Sequence, residues 1–203
     1  MFADRKDAGE KLGNALKRFV DKDTIVVAIP RGGVIVGYYV ARTLNLHMTI
    51  LVSRKLPSPE SPEFGIGAIA EDGSTSFISE INNYDKNLID ELIQRQKAVI
   101  NTRIKKLRKG KPFPLIIDKT VFLIDDGIAM GSTMKAAIKM CRNFGATKII
   151  VASPVSGPEA KMEFGRLADE VVILETPPWF HAVAQVYDEF SDVSDDEVLN
   201  YLQ

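Results

Sequence analysis

Val121-Phe122-Leu123-Ile124-Asp125-Asp126-Gly127-Ile128-Ala129-Met130-Gly131-Ser132-Thr133 is the stretch on which the reading of this chain turns. Val121 to Ile124 are consecutive apolar residues, the pattern of a strand buried on both faces, as parallel sheets require. Two carboxylates follow where that strand leaves the sheet. A turn of small residues comes next, with Ser132 and Thr133 at the mouth of a helix predicted to reach about Phe144. Backbone N–H groups at a helix start have no intrahelical partner, and the dipole there favours an anion. Ala129, Gly131 and Ser132 leave room for a phosphate to approach the backbone, and Ser132 and Thr133 add hydroxyl donors. Adjacent carboxylates accept hydrogen bonds from vicinal hydroxyls such as those of a ribose. Taken singly, Asp-Asp-Gly reads as a turn and Ser132 as an ordinary cap. In this order the series reads as a seat for a sugar phosphate.

Outward from this stretch, apolar strands alternate with helical patterns. Arg5 to Val20 reads as a helix, with Asp4 as its cap and Ala8, Leu12, Ala15, Leu16 and Phe19 at helical spacing. Thr24–Ile29 is a second buried strand, broken by Pro30-Arg31-Gly32-Gly33 before a helix ending near Leu44. His47–Ser53 is the next strand, with Arg54 and Lys55 at its carboxyl end. Three prolines between Leu56 and Pro62 predict an extended loop without regular structure. Asp72-Gly73 marks a hairpin turn between Ile66–Glu71 and Thr75–Ser79. A long helix from about Asp85 to Lys109 carries a thin stripe of Leu88, Ile89, Leu92, Val99 and Ile104. Strands at Lys148–Ser153 and Glu170–Leu174 enclose a helix from about Pro158 to Leu167. Ser194 and Glu197 have capping-box spacing before a terminal helix. The alternation predicts an α/β fold, doubly wound around a mainly parallel sheet. Ligands in such sheets bind beyond the carboxyl ends of the strands, where strand order reverses. The loops 30–33, 54–62 and 125–133 are therefore the candidates.

Bulk properties narrow the class. The 203 residues suit one domain, and 26 Lys+Arg against 27 Asp+Glu give a formal net charge of -1. No nucleic-acid partner is expected from that balance. A single cysteine, Cys141, excludes an internal disulfide. No apolar leader and no run of ~18 apolar residues occurs, so no membrane association is expected. The expectation is a soluble, cytoplasmic protein. Nucleotide loops of the G-x-G-x-x-G and G-x-x-x-x-G-K-[ST] types are missing. Cys141 falls on a stripe with Met134, Ala137 and Ile138 and reads as core. His47, His181, Ser153 and Ser156 read as structural. The basic run of Arg103, Lys105, Lys106, Arg108, Lys109 and Lys111 reads as a solvated helix end that complements the dipole.

The stretch from Val121 to Thr133 resembles the phosphoribosyl-pyrophosphate (PRPP) signature of type I phosphoribosyltransferases. AIPRGGV after the first strand is similar to that family's pyrophosphate loop, and SRK after the second to its basic pyrophosphate contact. With DR-DAG at Asp4–Gly9, E-GIGAI at Glu63–Ile69 and PWFHAV in the tail, nearly the whole chain resembles a little-characterised bacterial and archaeal group of that family. The resemblance implies a core at about 21–175, a flexible lid at Leu56–Pro62, and a small hood from 1–20 and 176–203. It also implies a helical insertion at 85–109. Asp125 and Asp126 would hold the ribose as the catalytic pair. Arg31, Gly32, Gly33, Arg54 and Lys55 would hold pyrophosphate, and Ala129, Met130, Gly131, Ser132 and Thr133 the 5-phosphate. Trp179 and Phe180 would face the acceptor. The implied reaction transfers a phosphoribosyl group from PRPP to a nitrogenous base or other amine acceptor. Mg²⁺ would arrive with PRPP, and a homodimer is the default assembly. Met130 stands where the signature usually has Thr or Ser, and Ala129 where the 6-oxopurine branch carries Asp. The second departure argues against a hypoxanthine or guanine enzyme. Two other readings keep the same site: a PRPP-sensing regulatory or RNA-binding protein without turnover, and a salvage enzyme or hydrolase using another sugar phosphate.

Overall fold

A computed structural model of the chain describes residues 1–61 and 64–202. α1 (Arg5–Leu16) is capped by Asp4, whose carboxylate accepts from the Asp7 N–H at 2.8 Å. β1 (Thr24–Ala28), α2 (Gly32–Leu44) and β2 (Met48–Ile50) follow. β3 (Ser53–Pro57), β4 (Gly65–Ala70) and β5 (Thr75–Phe77) form a separate antiparallel sheet in the order β3-β4-β5. α3 (Lys86–Leu107) leads to β6 (Thr120–Ile124), α4 (Ser132–Asn143) and β7 (Lys148–Val155). α5 (Ala160–Phe164), β8 (Glu170–Glu175) and α6 (Asp195–Tyr201) complete the chain.

The main sheet has the order β2-β1-β6-β7-β8, and every pairing in it is parallel. Alternate residues of its central strands feed two cores. Val26, Phe122, Ile124 and Ile150 meet Leu12 and Leu16 of α1 and Val36 and Val40 of α2. Val27, Leu123 and Val151 face α4 through Met134, Ala137, Ile138 and Cys141. Burial pushes the Cys141 thiol up to about 12, so it is core packing and not a nucleophile. Ser153 and Ser156 are buried, and their hydroxyls donate to the Val155 and Gly157 carbonyls. His47 and His181 are both exposed.

Three expectations need correction. The strand expected over His47–Ser53 stops at Ile50, and Arg54 and Lys55 lie inside β3 of the second sheet. Leu56 and Pro57, expected in an irregular loop, close that same strand; Pro62 and Glu63 lie outside the described residues. Proline is tolerated because β3 is an edge strand. Finally, the buried stripe of α3 is Ile89, Leu92, Ile100 and Leu107, and Val99 is exposed.

The second sheet is tied to the main one by a buried ion pair. Arg108, just past α3, donates through Nη1 to Glu71 Oε1 at 2.8 Å and to the Ile50 carbonyl at 3.2 Å. Burial raises the Glu71 carboxyl, and Arg108 pulls it back down. A folded-state value above the unfolded one means that Glu71 lowers stability as pH rises through that range. Arg108→Met should therefore cost about 3–5 kcal/mol at neutral pH, the cost of stranding a buried charge. That deficit should shrink in mild acid, and adding Glu71→Gln should restore most of it. Chemical denaturation of both variants at neutral and mildly acidic pH checks this. A deficit that ignores pH would make the pair a packing contact only.

Candidate functional site

β1 and β6 are neighbours at the point where the strand order reverses. Their register sets Ala28 beside Ile124, so Pro30–Gly33 and Asp125–Gly131 leave the sheet side by side. The two loops touch. A Cβ on Gly32 would stand 1.8 Å from Asp126 Oδ2, and one on Gly33 would stand 2.9 Å from Asp125 Oδ1. No side chain fits at either position, which explains why two glycines follow Arg31.

The acid pair is clamped from both ends of the chain. Asp126 Oδ2 accepts from Arg5 Nε at 2.7 Å, with the two side chains 15% and 9% exposed. Arg5 in turn donates to the Ser191 carbonyl at 2.9 Å and lies 3.9 Å from the centre of the Phe190 ring. The Tyr187 hydroxyl donates to the Asp126 carbonyl at 2.7 Å. Asp125 Oδ1 accepts the Asp126 N–H at 2.9 Å. Burial, and then the neighbouring Asp126 charge, push the Asp125 carboxyl well above its usual range. A buried carboxyl beside a like charge favours its protonated form, here on Asp125.

On one side of the pair lies a cavity of about 290 Å³. Lys55, Asp125 and the whole turn from Gly127 through Met134 line it. Gly131, at φ +70°, starts α4 with no side-chain cap. The N–H groups of the first turn are therefore without a capping side chain, and their residues line the cavity. Met130 is 54% exposed at its rim. A second cavity, of about 470 Å³, is lined by Pro30, Arg31, Ser53, Arg54, Lys55, Pro57, Gln96 and Arg103. Lys55 belongs to both.

The residues expected to hold phosphate groups line these two cavities or, at Gly32 and Gly33, touch the acid pair. Trp179 and Phe180 are not among them. Trp179 is 79% exposed, Phe180 packs beside Phe2, Val186 and Tyr187, and neither lines either cavity. The tail instead reaches the site through Val183, whose methyl carbon would stand 2.2 Å from a Cβ on Gly127.

Four site residues went unassigned in the sequence. Arg5 and Tyr187 act from distant parts of the chain. Gln96 and Arg103 belong to α3, where Arg103 reads as part of a solvated run. Its side chain is only 14% exposed, and Arg108 is 10% exposed, so that reading fails for both. A signal was present. Leu92, Gln96, Ile100, Arg103 and Leu107 share one helical face, and two of the five are polar.

With this geometry in view, comparison with known proteins is decisive. The phosphoribosyl transferase domain family matches residues 5–191. The chain belongs to the phosphoribosyl transferase family. Relatives from two strains of Mycobacterium tuberculosis, each named "Putative phosphoribosyl transferase", are 37% identical over 205 residues and cover 100% of this chain. The chain spans only 46% of their length. The crystal structure of TT1426 from Thermus thermophilus superposes with a TM-score of 0.84 at 34% identity, over 99% of this chain and 97% of that one. AQ2163 from Aquifex aeolicus shares the fold at a TM-score of 0.53 and 13% identity, over 85% of this chain and 74% of that one.

Gly32→Ala tests the contact between the loops. Alanine is the better helix former by about 1 kcal/mol at a helical position, so propensity alone would stabilise the variant. The added methyl should instead displace the Asp126 carboxylate and Arg5 Nε. Affinity for ribose 5-phosphate, measured by calorimetry, should fall at least tenfold, or roughly 1.4 kcal/mol. Unchanged affinity would show that the loops part without disturbing the acid pair.

Proposed function

We propose that this protein transfers a 5-phosphoribosyl group from PRPP to a nitrogen of an acceptor and releases pyrophosphate. The observation that carries the reading is the order of the site: an uncapped helix start, a carboxylate pair beside it, and an arginine-lined cavity that shares Lys55 with the first. That order is complementary to a ribose with a phosphate at one end and a diphosphate at the other.

In this reading the first turn of α4, with Ser132 and Thr133, holds the 5-phosphate through backbone N–H groups and hydroxyls. Asp125 and Asp126 accept the ribose hydroxyls and fix the ring. Arg31, Arg54 and Lys55 hold the diphosphate and stabilise the charge that grows on it as the bond from C1 to oxygen breaks. The acceptor nitrogen forms the new bond to C1 and gives up a proton. Holding both reactants in line is the larger part of such catalysis. Val183 and Tyr187 bound the acceptor side, where the tail meets the acid loop.

Mg²⁺ belongs to this proposal as an ion carried by the diphosphate. Among the described residues no group of three His, Cys, Asp or Glu side chains could hold a metal. The ion's oxygen ligands would come from the substrate and water, as Mg²⁺ prefers, because Arg5 already holds Asp126. When bound, the ion neutralises charge on the departing pyrophosphate. The lid of this reading is confined to the segment after Pro57, and its closure would exclude water. A two-fold homodimer is proposed on general frequency alone.

The test is pyrophosphate release from PRPP and Mg²⁺ across a panel of nucleobases and amines. Asp125→Asn with Asp126→Asn should slow release at least about a hundredfold, with circular dichroism unchanged. Full turnover by the double variant would remove the ribose assignment. Tight PRPP binding with no acceptor consumed would favour a sensor over an enzyme.

A further inference from the structure

Three arginines converge on the larger cavity from separate elements: Arg31 after β1, Arg54 in β3 and Arg103 in α3. The described residues that line it include no carboxylate. Burial, and then Arg103 and Arg31, pull the Arg54 guanidinium below its ordinary value. The nearest offset is Asp195, in the first turn of α6. Its Oδ1 lies 3.5 Å from Arg103 Nε, with the side chains 21% and 14% exposed. That oxygen is buried and accepts no hydrogen bond, so the pair attracts without being bonded. Ser53 is 5% exposed, its hydroxyl finds no partner, and it lines the same cavity. Gln96 accepts from Arg54 Nε at a long 3.3 Å. Buried polar groups are normally satisfied, and guanidinium donors are matched best by the paired oxygens of phosphate groups. Crowded cations, an orphan hydroxyl and a carboxylate held just out of bonding range describe a network that lacks a multivalent anion.

We propose that α3 adds Arg103, with Ser53 beside it, to the diphosphate subsite, and that Asp195 of α6 holds Arg103 in reserve until a diphosphate takes the guanidinium from it. The proposal rests on reading this cavity as the diphosphate end of the substrate, and adds to it a competition between ligand and C-terminal helix. A singly charged carboxylate that does not reach hydrogen-bond distance is a weak competitor for a diphosphate. Lys106 and Asp196, 2.8 Å apart one turn away, keep α6 on α3 after the exchange.

The test is calorimetric titration of the full chain with inorganic pyrophosphate. Arg103→Gln should weaken binding roughly ten- to a hundredfold, the loss of a charged hydrogen bond. Asp195→Asn removes the competitor and should tighten binding about two- to fivefold. Opposite signs are the signature, because a merely structural ion pair would make both variants neutral or both weaker. Arg103→Lys should recover part of the affinity. Thermal unfolding without ligand identifies a variant that fails to fold; if Arg103→Gln does, the sign of Asp195→Asn decides alone. Unchanged affinity in Arg103→Gln, or weakening in Asp195→Asn, overturns the proposal. Arg31→Gln separates the two readings. If it loses pyrophosphate while Arg103→Gln keeps it, the cavity assignment stands and the role of α3 falls. If the unaltered protein does not bind pyrophosphate, both fall.

Discussion

The approach of Gly32 to Asp126 is the contact from which the rest of the site is built. β1 and β6 run parallel in register, and the Ile29 N–H donates to the Ile124 carbonyl at 2.9 Å as the strands end. Two loops that leave a sheet side by side must either splay or interlock. Here they interlock, because positions 32 and 33 carry no side chain. The Asp126 carboxylate then sits over the start of α2, where Arg5 of α1 can reach it. Arg5 brings Ser191 and Phe190 with it, so both ends of the chain are drawn onto one carboxylate. A wider residue at 32 would disturb the β1 loop, the β6 loop, α1 and the tail together.

The same contact solves an electrostatic problem. A polyanion would be repelled by two bare carboxylates at the centre of its site. Arg5 offsets the charge of Asp126, and burial favours the protonated form of Asp125. The acid pair is thus far less negative than its sequence suggests, while it keeps oxygen acceptors for hydroxyls. Cationic side chains line the larger cavity, and uncapped backbone N–H groups start α4 beside the acid pair. A molecule with neutral hydroxyls between two anionic ends meets a complementary partner at each point.

What the sequence disclosed followed from locality. The strand, acid pair and small-residue turn at 121–133 are contiguous, and each part has a local physical meaning, so the strand, the loop and the helix start were all readable there. The same holds for the hairpin at Asp72-Gly73 and the caps Asp4 and Ser194, which mark the expected turn or accept from nearby backbone N–H groups. Arg5 and Tyr187 lie 121 and 61 residues from Asp126, and no local pattern announces such contacts. Leu56 and Pro57 were misread because proline density was taken as a barrier to pairing. That holds for central strands and not for an edge such as β3.

α3 shows how polarity inside a buried stripe should be weighed. A helix packing only for stability would put apolar residues at positions 96 and 103, between Leu92, Ile100 and Leu107. Burying polar or charged groups there costs free energy unless partners compensate. The partners present are thin: a long bond from Arg54 to Gln96 and an ion pair without a hydrogen bond from Arg103 to Asp195. Elsewhere on the same stretch the chain compensates more strongly, although Arg108 Nε is buried without a hydrogen bond. Arg108, five residues on from Arg103, has a bidentate carboxylate and a backbone carbonyl. The contrast is within one segment, so composition and helix propensity cannot account for it. Arg108 is bonded through both terminal nitrogens to groups of the fold and holds two sheets together. Arg103 faces a cavity of cations, and its missing partner is the kind of group that only a ligand supplies.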